Sequence, residues 1–333
     1  MKIYLAGDSI VQNYEKEEFI AGWGQFLPFF IKDGVEVVND AKGGRSSRLF
    51  INEGRFDNIE KNISAGDYLL IEFCHNDDAS KEYKTMFNRL TPLGEPDSDG
   101  RFPIIPGEAM PKDYIPPEYI DALRKDENVK DKQAVLDSVY KILESYPHDT
   151  YYPYSADGSK GTYLWFLKQF VDMAREKGAV PVFVTAPART VYDANGNIKD
   201  GAGLHGGNNF AYIRAMKQLG EEAKVPVIDL FAYSCGLYKQ IGKEKIHWIT
   251  SIKKGCNKGI WPDDFNSEMQ KKETVSEDTH FNKYGAMLIT QGLVKLIKES
   301  DSSQLDGLKS MLKNPDGIDI EKYVKKPLVF EEF

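Results

Sequence analysis

Short apolar runs that end in polar turns recur along this chain and indicate its fold. Residues 2–6 are rich in apolar side chains and partly β-branched, and the run stops at Gly7-Asp8-Ser9. Residues 35–39 and 68–74 repeat the pattern, with helical periodicity between them. Such runs predict buried strands that end in turns. Strands that alternate with helices in this way are typical of a parallel, doubly wound sheet.

The alternation of strands and helices is interrupted twice before the last helix. Residues 79–161 are broken repeatedly by proline, and only residues 132–145 within them show helical periodicity. Their tyrosine and phenylalanine content is too high for disorder, so we predict an ordered insertion over one edge of the sheet. Residues 236–273 form a second irregular stretch. The remaining segments predict strands at 180–185 and 225–230, and helices at 56–64, 162–177, 209–223 and 284–298.

These elements predict one α/β domain over residues 1–333, with long loop insertions at residues 79–161 and 236–273. Its architecture would be three-layer α/β/α, with a five-stranded parallel sheet. The chain contains no internal repeat and no low-complexity linker that would divide it.

Composition narrows the classes of partner. The 333 residues are 41% hydrophobic and 28% charged, with a net charge of −8 and no basic cluster, which argues against a nucleic-acid partner. No stretch approaches the roughly 20 apolar residues that a membrane span needs. The three cysteines are widely spaced, so neither a disulfide framework nor a metal site is expected. The N-terminus shows no leader pattern, from which we expect a cytoplasmic protein. The oligomeric state has no signature in the sequence.

Four polar turns follow the predicted strands or precede the last helix, and they contain Ser9, Gly44, Asn76 and His280. The carboxyl ends of parallel strands share one edge of a sheet, where ligands bind. Acyl transfer needs a nucleophile, a base, a group that orients the base, and donors to the oxyanion. Ser9 fits the nucleophile and His280 the base. The Ser9 amide, the Gly44 amide and the Asn76 side chain fit the oxyanion donors.

Four blocks of the chain resemble those of the SGNH (GDSL-type) hydrolases, and within them the rhamnogalacturonan acetylesterase group. The matching blocks are Gly7-Asp8-Ser9, Asn39-Asp40-Ala41-Lys42-Gly43-Gly44-Arg45-Ser46-Ser47, Phe73-Cys74-His75-Asn76-Asp77 and Asp278-Thr279-His280-Phe281-Asn282. The resemblance implies the SGNH hydrolase fold, with the five strands of the sheet in flavodoxin-like order. It also implies a serine esterase without metal or cofactor. It implies an acetylated oligosaccharide as substrate, derived from pectin. The alternatives are acetylxylan or another sugar or lipid ester, or a carbohydrate-binding protein of this fold with impaired catalysis.

The chain departs from the family pattern at two positions. Cys74 stands where the third block usually has glycine, which puts the turn before Asn76 in question. The family's acid lies three residues before the histidine, where this chain has Glu277, and Asp278 follows it. We favour Glu277 as the group that orients His280, because register in a turn fixes direction more firmly than side-chain length does. Asp278 is the alternative.

Other polar residues are candidates for substrate binding. His75 beside Asn76 fits either a substrate contact or a buried, hydrogen-bonded histidine. His205, between glycines in a loop, fits a substrate contact or a solvated loop residue. Arg45 and Arg189 could each form an ion pair with the carboxylate of a uronic acid in the substrate. We favour the alternative, in which they pair with acidic residues of the protein that stabilise the fold.

Overall fold

A five-stranded parallel sheet forms the centre of the protein. The computed structural model describes residues 1–15, 20–78, 89–199, 210–252 and 276–324, without the side chains of Ser276 and Glu277. The strands, numbered in chain order, are β1 (Lys2–Gly7), β2 (Glu36–Asn39), β3 (Tyr68–Glu72), β4 (Met110–Pro111), β5 (Thr150–Tyr151), β6 (Val180–Val184), β7 (Val227–Ile228), β8 (Thr250–Ile252) and β9 (Ser276–Phe281). The central sheet has the order β2-β1-β3-β6-β7. All four neighbouring pairs are parallel, which confirms the predicted flavodoxin-like order.

Helices cover both faces of this sheet, as a parallel sheet requires. The described α-helices, numbered in chain order, are α1 (Trp23–Phe26), α2 (Ser47–Asn52), α3 (Arg55–Asn62), α4 (Pro117–Lys125), α5 (Lys132–Glu144), α6 (Tyr163–Glu176), α7 (Ala211–Glu222), α8 (Leu230–Ile241), α9 (Lys283–Glu299) and α10 (Asp306–Met311). Helices α2, α3 and α7 pack around α6, which lies against β3 and β6. Helices α1, α8 and α10 pack around α9. The predicted three-layer α/β/α class is therefore confirmed.

Helix α8 corrects the prediction that residues 225–230 form a strand and that an irregular stretch begins at residue 236. The strand β7 ends at Ile228, because Asp229 caps a helix by accepting a hydrogen bond from the Ala232 amide at 3.2 Å. Gly236 does not break this helix, because an isolated glycine is tolerated within a helical pattern.

The block that contains His280 also differs from its prediction as a turn before the last helix. It forms β9, which pairs with β8 in antiparallel orientation. Only the next residue, Asn282, caps α9, by accepting a hydrogen bond from the Gly285 amide at 2.9 Å. Residues 253–275 lie outside the described part of the chain.

The described part of the first insertion contains regular secondary structure. It contains the β4–β5 hairpin and two helices, of which α4 was missed because Pro116 and Pro117 were interpreted as breakers. Proline is in fact favourable in the first turn of a helix, where α4 has it. The insertion has its own apolar cluster with α2, composed of Leu49, Ile115, Tyr119, Leu123, Val139, Leu143, Tyr146 and Tyr151. Residues 79–88 are not described.

No helix among the described residues has the length and apolar character needed to cross a membrane.

Candidate active site

The turn after β1 presents Ser9 at the carboxyl edge of the sheet. Asp8 shapes this turn: its Oδ1 accepts a hydrogen bond from the Ile10 amide at 2.9 Å, and its carbonyl accepts one from the Val11 amide at 3.2 Å. Gly7 is required at the end of the strand, because a Cβ there would lie 2.6 Å from Val11 Cγ2. Ser9 is 9% exposed, so its hydroxyl lies at the boundary between core and solvent.

His280 contacts Ser9 although 271 residues separate them. The His280 Nε2 atom lies 2.8 Å from Ser9 Oγ. The chain is held directly after His280: the Ala21 amide donates to the Phe281 carbonyl at 2.9 Å, and Asn282 Nδ2 donates to the Trp248 carbonyl at 2.7 Å. An imidazole within hydrogen-bond reach of a hydroxyl is the geometry of a nucleophile and its general base.

The Gly43-Gly44 loop lies beside Ser9. The Lys42 amide donates to the Gly7 carbonyl at 3.0 Å, which joins the loop to the end of β1. A Cβ on Gly43 would lie 3.4 Å from Ser9 Cβ, and Gly44 has a φ of +82°, a conformation that favours glycine. Within the described residues, neither the Ser9 amide nor the Gly44 amide donates a hydrogen bond. Both amides are thus available to an oxyanion at this edge.

The Asn76 side chain lies between the first two blocks. Its Nδ2 donates to Asp8 Oδ2 at 3.0 Å and to the Arg45 carbonyl at 3.3 Å. The turn that precedes it closes through the Asp77 amide, which donates to the Cys74 carbonyl at 3.0 Å. Cys74 does not have a positive φ, so this turn does not require the family's glycine. An oxyanion role requires the amide to exchange its longer contact, with Arg45, for the substrate oxygen.

Of the two candidate acids, only Asp278 has a described side chain. Its carboxylate accepts a hydrogen bond from Thr279 Oγ1 at 2.9 Å and lies 3.5 Å from Arg189 Nη1. Within the described residues no hydrogen bond joins Asp278 to His280, and the Asp278 side chain is 49% exposed. The Glu277 side chain lies outside the described part.

The remaining candidates are placed as follows. His75 is buried, with Nε2 3.1 Å from the Pro187 carbonyl oxygen, which matches the alternative of a hydrogen-bonded core histidine. Arg45 forms a bidentate pair with Glu53 at 2.8 Å for both contacts, which matches the structural alternative. Arg189 pairs with Asp278. His205 lies outside the described residues.

Three buried carboxyl groups lie beneath this edge, and the sequence analysis assigned none of them a role. Burial raises the pKa of Asp8, against the opposing effects of the Ile10 amide and of His280. Burial likewise raises the pKa of Glu72, at the end of β3, well above its usual value and that of Asp77 to about 7. Within the described residues neither oxygen of Glu72 has a hydrogen-bond partner. Low solvation thus favours the neutral form of these acids near the nucleophile.

Two arginines near the site were also missed. The Arg48 side chain of α2 is buried, and Arg89, at the start of the described insertion, approaches Gly44. Neither belongs to a block that carried the resemblance. No sequence pattern distinguishes either of them from a surface arginine.

Comparison with known proteins decides the family. No family model matches the chain. The rhamnogalacturonan acetylesterase RhgT of Bacillus subtilis (strain 168) is 30% identical over 300 residues, which are 90% of this chain and 90% of that protein. The probable rhamnogalacturonan acetylesterase YesY of the same organism is 30% identical over 298 residues, 89% of this chain and 92% of that protein. The chain belongs to the rhamnogalacturonan acetylesterase group of the SGNH (GDSL-type) hydrolases.

A solved structure agrees with this membership at the level of fold. The crystal structure of the Bacillus subtilis protein YxiM matches the structure of this chain with a TM-score of 0.52, and the two sequences are 20% identical. The match covers 91% of this chain and spans 57% of the length of that one. At this identity the likeness shows a shared fold.

Proposed function

We propose that this protein is a serine esterase that removes O-acetyl groups from oligosaccharides derived from rhamnogalacturonan. The observation that carries the proposal is the contact of Ser9 Oγ with His280 Nε2 at 2.8 Å. The contact occurs in a chain that is 30% identical, over 90% of its length, to a rhamnogalacturonan acetylesterase.

Each step of the reaction has a residue in reach. His280 takes the Ser9 proton as the hydroxyl attacks the acetyl carbonyl, and the amides of Ser9 and Gly44 stabilise the resulting oxyanion. The Asn76 amide is the third donor. As the bond between the acetyl carbon and the sugar oxygen breaks, the imidazolium of His280 gives its proton to that oxygen, and the acetyl group stays on Ser9. Water, activated by the same imidazole, hydrolyses the acetyl-enzyme and releases acetate.

Glu277 is the residue that we assign to orient His280. The support is its register, three residues before the histidine, and the engagement of the Asp278 carboxylate by Thr279 and Arg189. A half-exposed carboxylate is also screened by water, which weakens its stabilisation of an imidazolium.

The test is hydrolysis of p-nitrophenyl acetate and of acetylated rhamnogalacturonan and xylan oligosaccharides by the wild type and by Ser9→Ala. We expect the wild type to prefer the rhamnogalacturonan substrate. Ser9→Ala should lower kcat by several orders of magnitude while the protein stays folded. Near-full activity of Ser9→Ala would exclude this site. A folded wild type that is inactive on every acetate would instead favour a binding protein, and a preference for xylan acetates would overturn the substrate assignment.

A further inference from the structure

The Gly43-Gly44 loop closes as a β-turn over residues 42–45. The Arg45 amide donates to the Lys42 carbonyl at 3.3 Å, which is the closing hydrogen bond of such a turn. Gly44, at the third position, has a φ of +82°, whereas Gly43, at the second, does not have a positive φ. This combination is that of a type II turn, whose third residue has a φ of about +80°. The loop that carries a proposed oxyanion donor is therefore a turn of defined type.

A glycine at the third position allows this turn a second form. Types I and II differ in the orientation of the central peptide, which here joins Gly43 to Gly44. In type I the third residue has a negative φ, which glycine adopts as readily as a positive one. Because a trans peptide is planar, with its N–H opposite to its carbonyl, rotation of this peptide reverses the direction of the Gly44 N–H. The two forms thus present this N–H to opposite sides of the turn, and only one of them can serve an oxyanion beside Ser9.

The Arg45 guanidinium holds the central peptide in the observed form. Its Nη1 donates to the Gly43 carbonyl at 2.7 Å. Its Nε and Nη2 donate to the Glu53 carboxylate at 2.8 Å each, so the guanidinium is itself fixed by a bidentate pair. Among the described residues, the Gly44 N–H on the opposite side of this peptide donates no hydrogen bond. The carbonyl of the peptide is therefore occupied by Arg45, while its N–H is available at the site.

The preceding peptide is fixed by a residue of the nucleophile turn. The Gly43 amide donates to Gln12 Oε1, three residues after Ser9. This contact joins the loop to the nucleophile turn, but it does not fix the next peptide, which rotates about the ψ bond of Gly43 and the φ bond of Gly44. Among the described contacts, the choice between the two turn forms therefore depends on Arg45.

We propose that Arg45 is a positioning residue that selects the type II form of this turn and thereby aims the Gly44 amide at the oxyanion. The proposal rests on the proposed function. A hydrogen bond from a charged donor changes an equilibrium by a factor of about 10 to 100. Without the bond to the Gly43 carbonyl, the fraction of molecules with a competent turn falls by up to this factor, and the rate falls with that fraction. The ion pair of Arg45 with Glu53 thus acts on the reaction through the backbone of the loop.

The test measures hydrolysis of p-nitrophenyl acetate, which carries no sugar, so the result does not depend on which oligosaccharide is the substrate. Arg45→Met keeps a long, unbranched side chain but removes every donor, and Arg45→Lys keeps the charge but not the planar fork of donors. The matched control is Arg55→Met, because Arg55 Nε contacts the same Glu53 carboxylate at 3.2 Å. Within the described residues no hydrogen bond joins the Arg55 side chain to the turn. The second readout is inhibition by methylboronic acid, which forms a tetrahedral adduct with a serine hydroxyl, and urea unfolding reports on stability.

We expect kcat of Arg45→Met to fall about 10- to 100-fold at nearly unchanged KM, because acylation and deacylation both pass through an oxyanion. Its affinity for methylboronic acid should fall by a comparable factor, and Arg45→Lys should show the same pattern with smaller losses. Arg55→Met should keep the wild-type values. A wild-type kcat in Arg45→Met would overturn the proposal while leaving the esterase intact. Equal losses in Arg45→Met and Arg55→Met, or a loss confined to KM, would overturn it and indicate a role in folding or in substrate binding. A wild type that hydrolyses no acetate would overturn the proposed function as well.

Discussion

Asp77, directly after Asn76, offers a test of the electrostatics beneath the sheet edge. Its side chain is fully buried, and Oδ1 accepts hydrogen bonds from the Ser47 amide at 2.9 Å and from the Ser47 hydroxyl at 2.5 Å. Burial raises its pKa from 3.8 to about 7, against the opposing effect of these hydrogen bonds. Asp77→Asn keeps the shape and the acceptor oxygen but removes the ionisable group.

A carboxyl whose pKa is higher in the folded state makes the free energy of unfolding fall as the pH rises. Below pH 3.8 the carboxyl is protonated in both states, and between pH 3.8 and about 7 only the unfolded chain releases the proton. The wild type therefore loses stability across this window, by about 1.4 kcal/mol per pH unit and by at most about 4 kcal/mol in total. Above pH 7 both states are ionised, and the loss stays constant.

The assay is urea unfolding followed by tryptophan fluorescence between pH 4 and pH 8. The measured quantity is the free energy of unfolding of Asp77→Asn minus that of the wild type. This difference should grow by up to about 4 kcal/mol as the pH rises from 4 to 8. Asp121→Asn is the matched control, since its carboxylate on α4 is 61% exposed, and it should show no such growth. A difference for Asp77→Asn that stays constant with pH would refute the reasoning.

The remaining predictions concern catalysis. Asn76→Ala should lower kcat about 10²- to 10³-fold, the cost of one oxyanion donor, and a loss below tenfold at unchanged KM would show that the amide serves Asp8 and Arg45 only. Glu277→Gln should lower kcat strongly and Asp278→Asn mildly, each less than removal of Ser9 or His280, because the remaining groups still act; the reverse order would assign the orienting role to Asp278. The insertion can be shortened where Pro111 pairs with Thr150, by replacing residues 112–149 with a two-residue Asn-Gly turn. This change should reduce activity on oligosaccharides much more than on p-nitrophenyl acetate. Equal losses would point to a structural role of the insertion.

The sequence predicts those parts of the molecule that local patterns encode. The buried strands β1, β3 and β6 follow from apolar runs, and their parallel orientation follows from the alternation with helices. The juxtaposition of Ser9 and His280 follows from the rule that strand ends share an edge, together with the resemblance. The strand β9 does not follow, because its polar sequence forms a strand only by pairing with β8.

Arg89 could not be predicted for a related reason. Its place beside Gly44 depends on hydrogen bonds between Arg48 and Leu90, 42 residues apart, and no periodicity reports such a contact. The high pKa of Asp77 is equally invisible, because desolvation depends on what the fold packs around the carboxyl. The role of a polar residue therefore cannot be predicted from the sequence when it depends on burial or on tertiary contacts.

The contacts that hold the site divide it into two parts. The groups proposed for acyl transfer lie on the turn after β1, on the loop after β2, on the turn after β3 and on β9. Backbone hydrogen bonds hold these segments: the Lys42 amide joins the loop after β2 to Gly7, and the Ala21 amide, just before α1, holds β9 at Phe281. Arg89 belongs to the insertion, which is joined to the same edge largely through the side chains of Arg48 and Tyr212. Changes in the insertion can therefore alter which acetylated sugar is bound while the contact between Ser9 and His280 is kept.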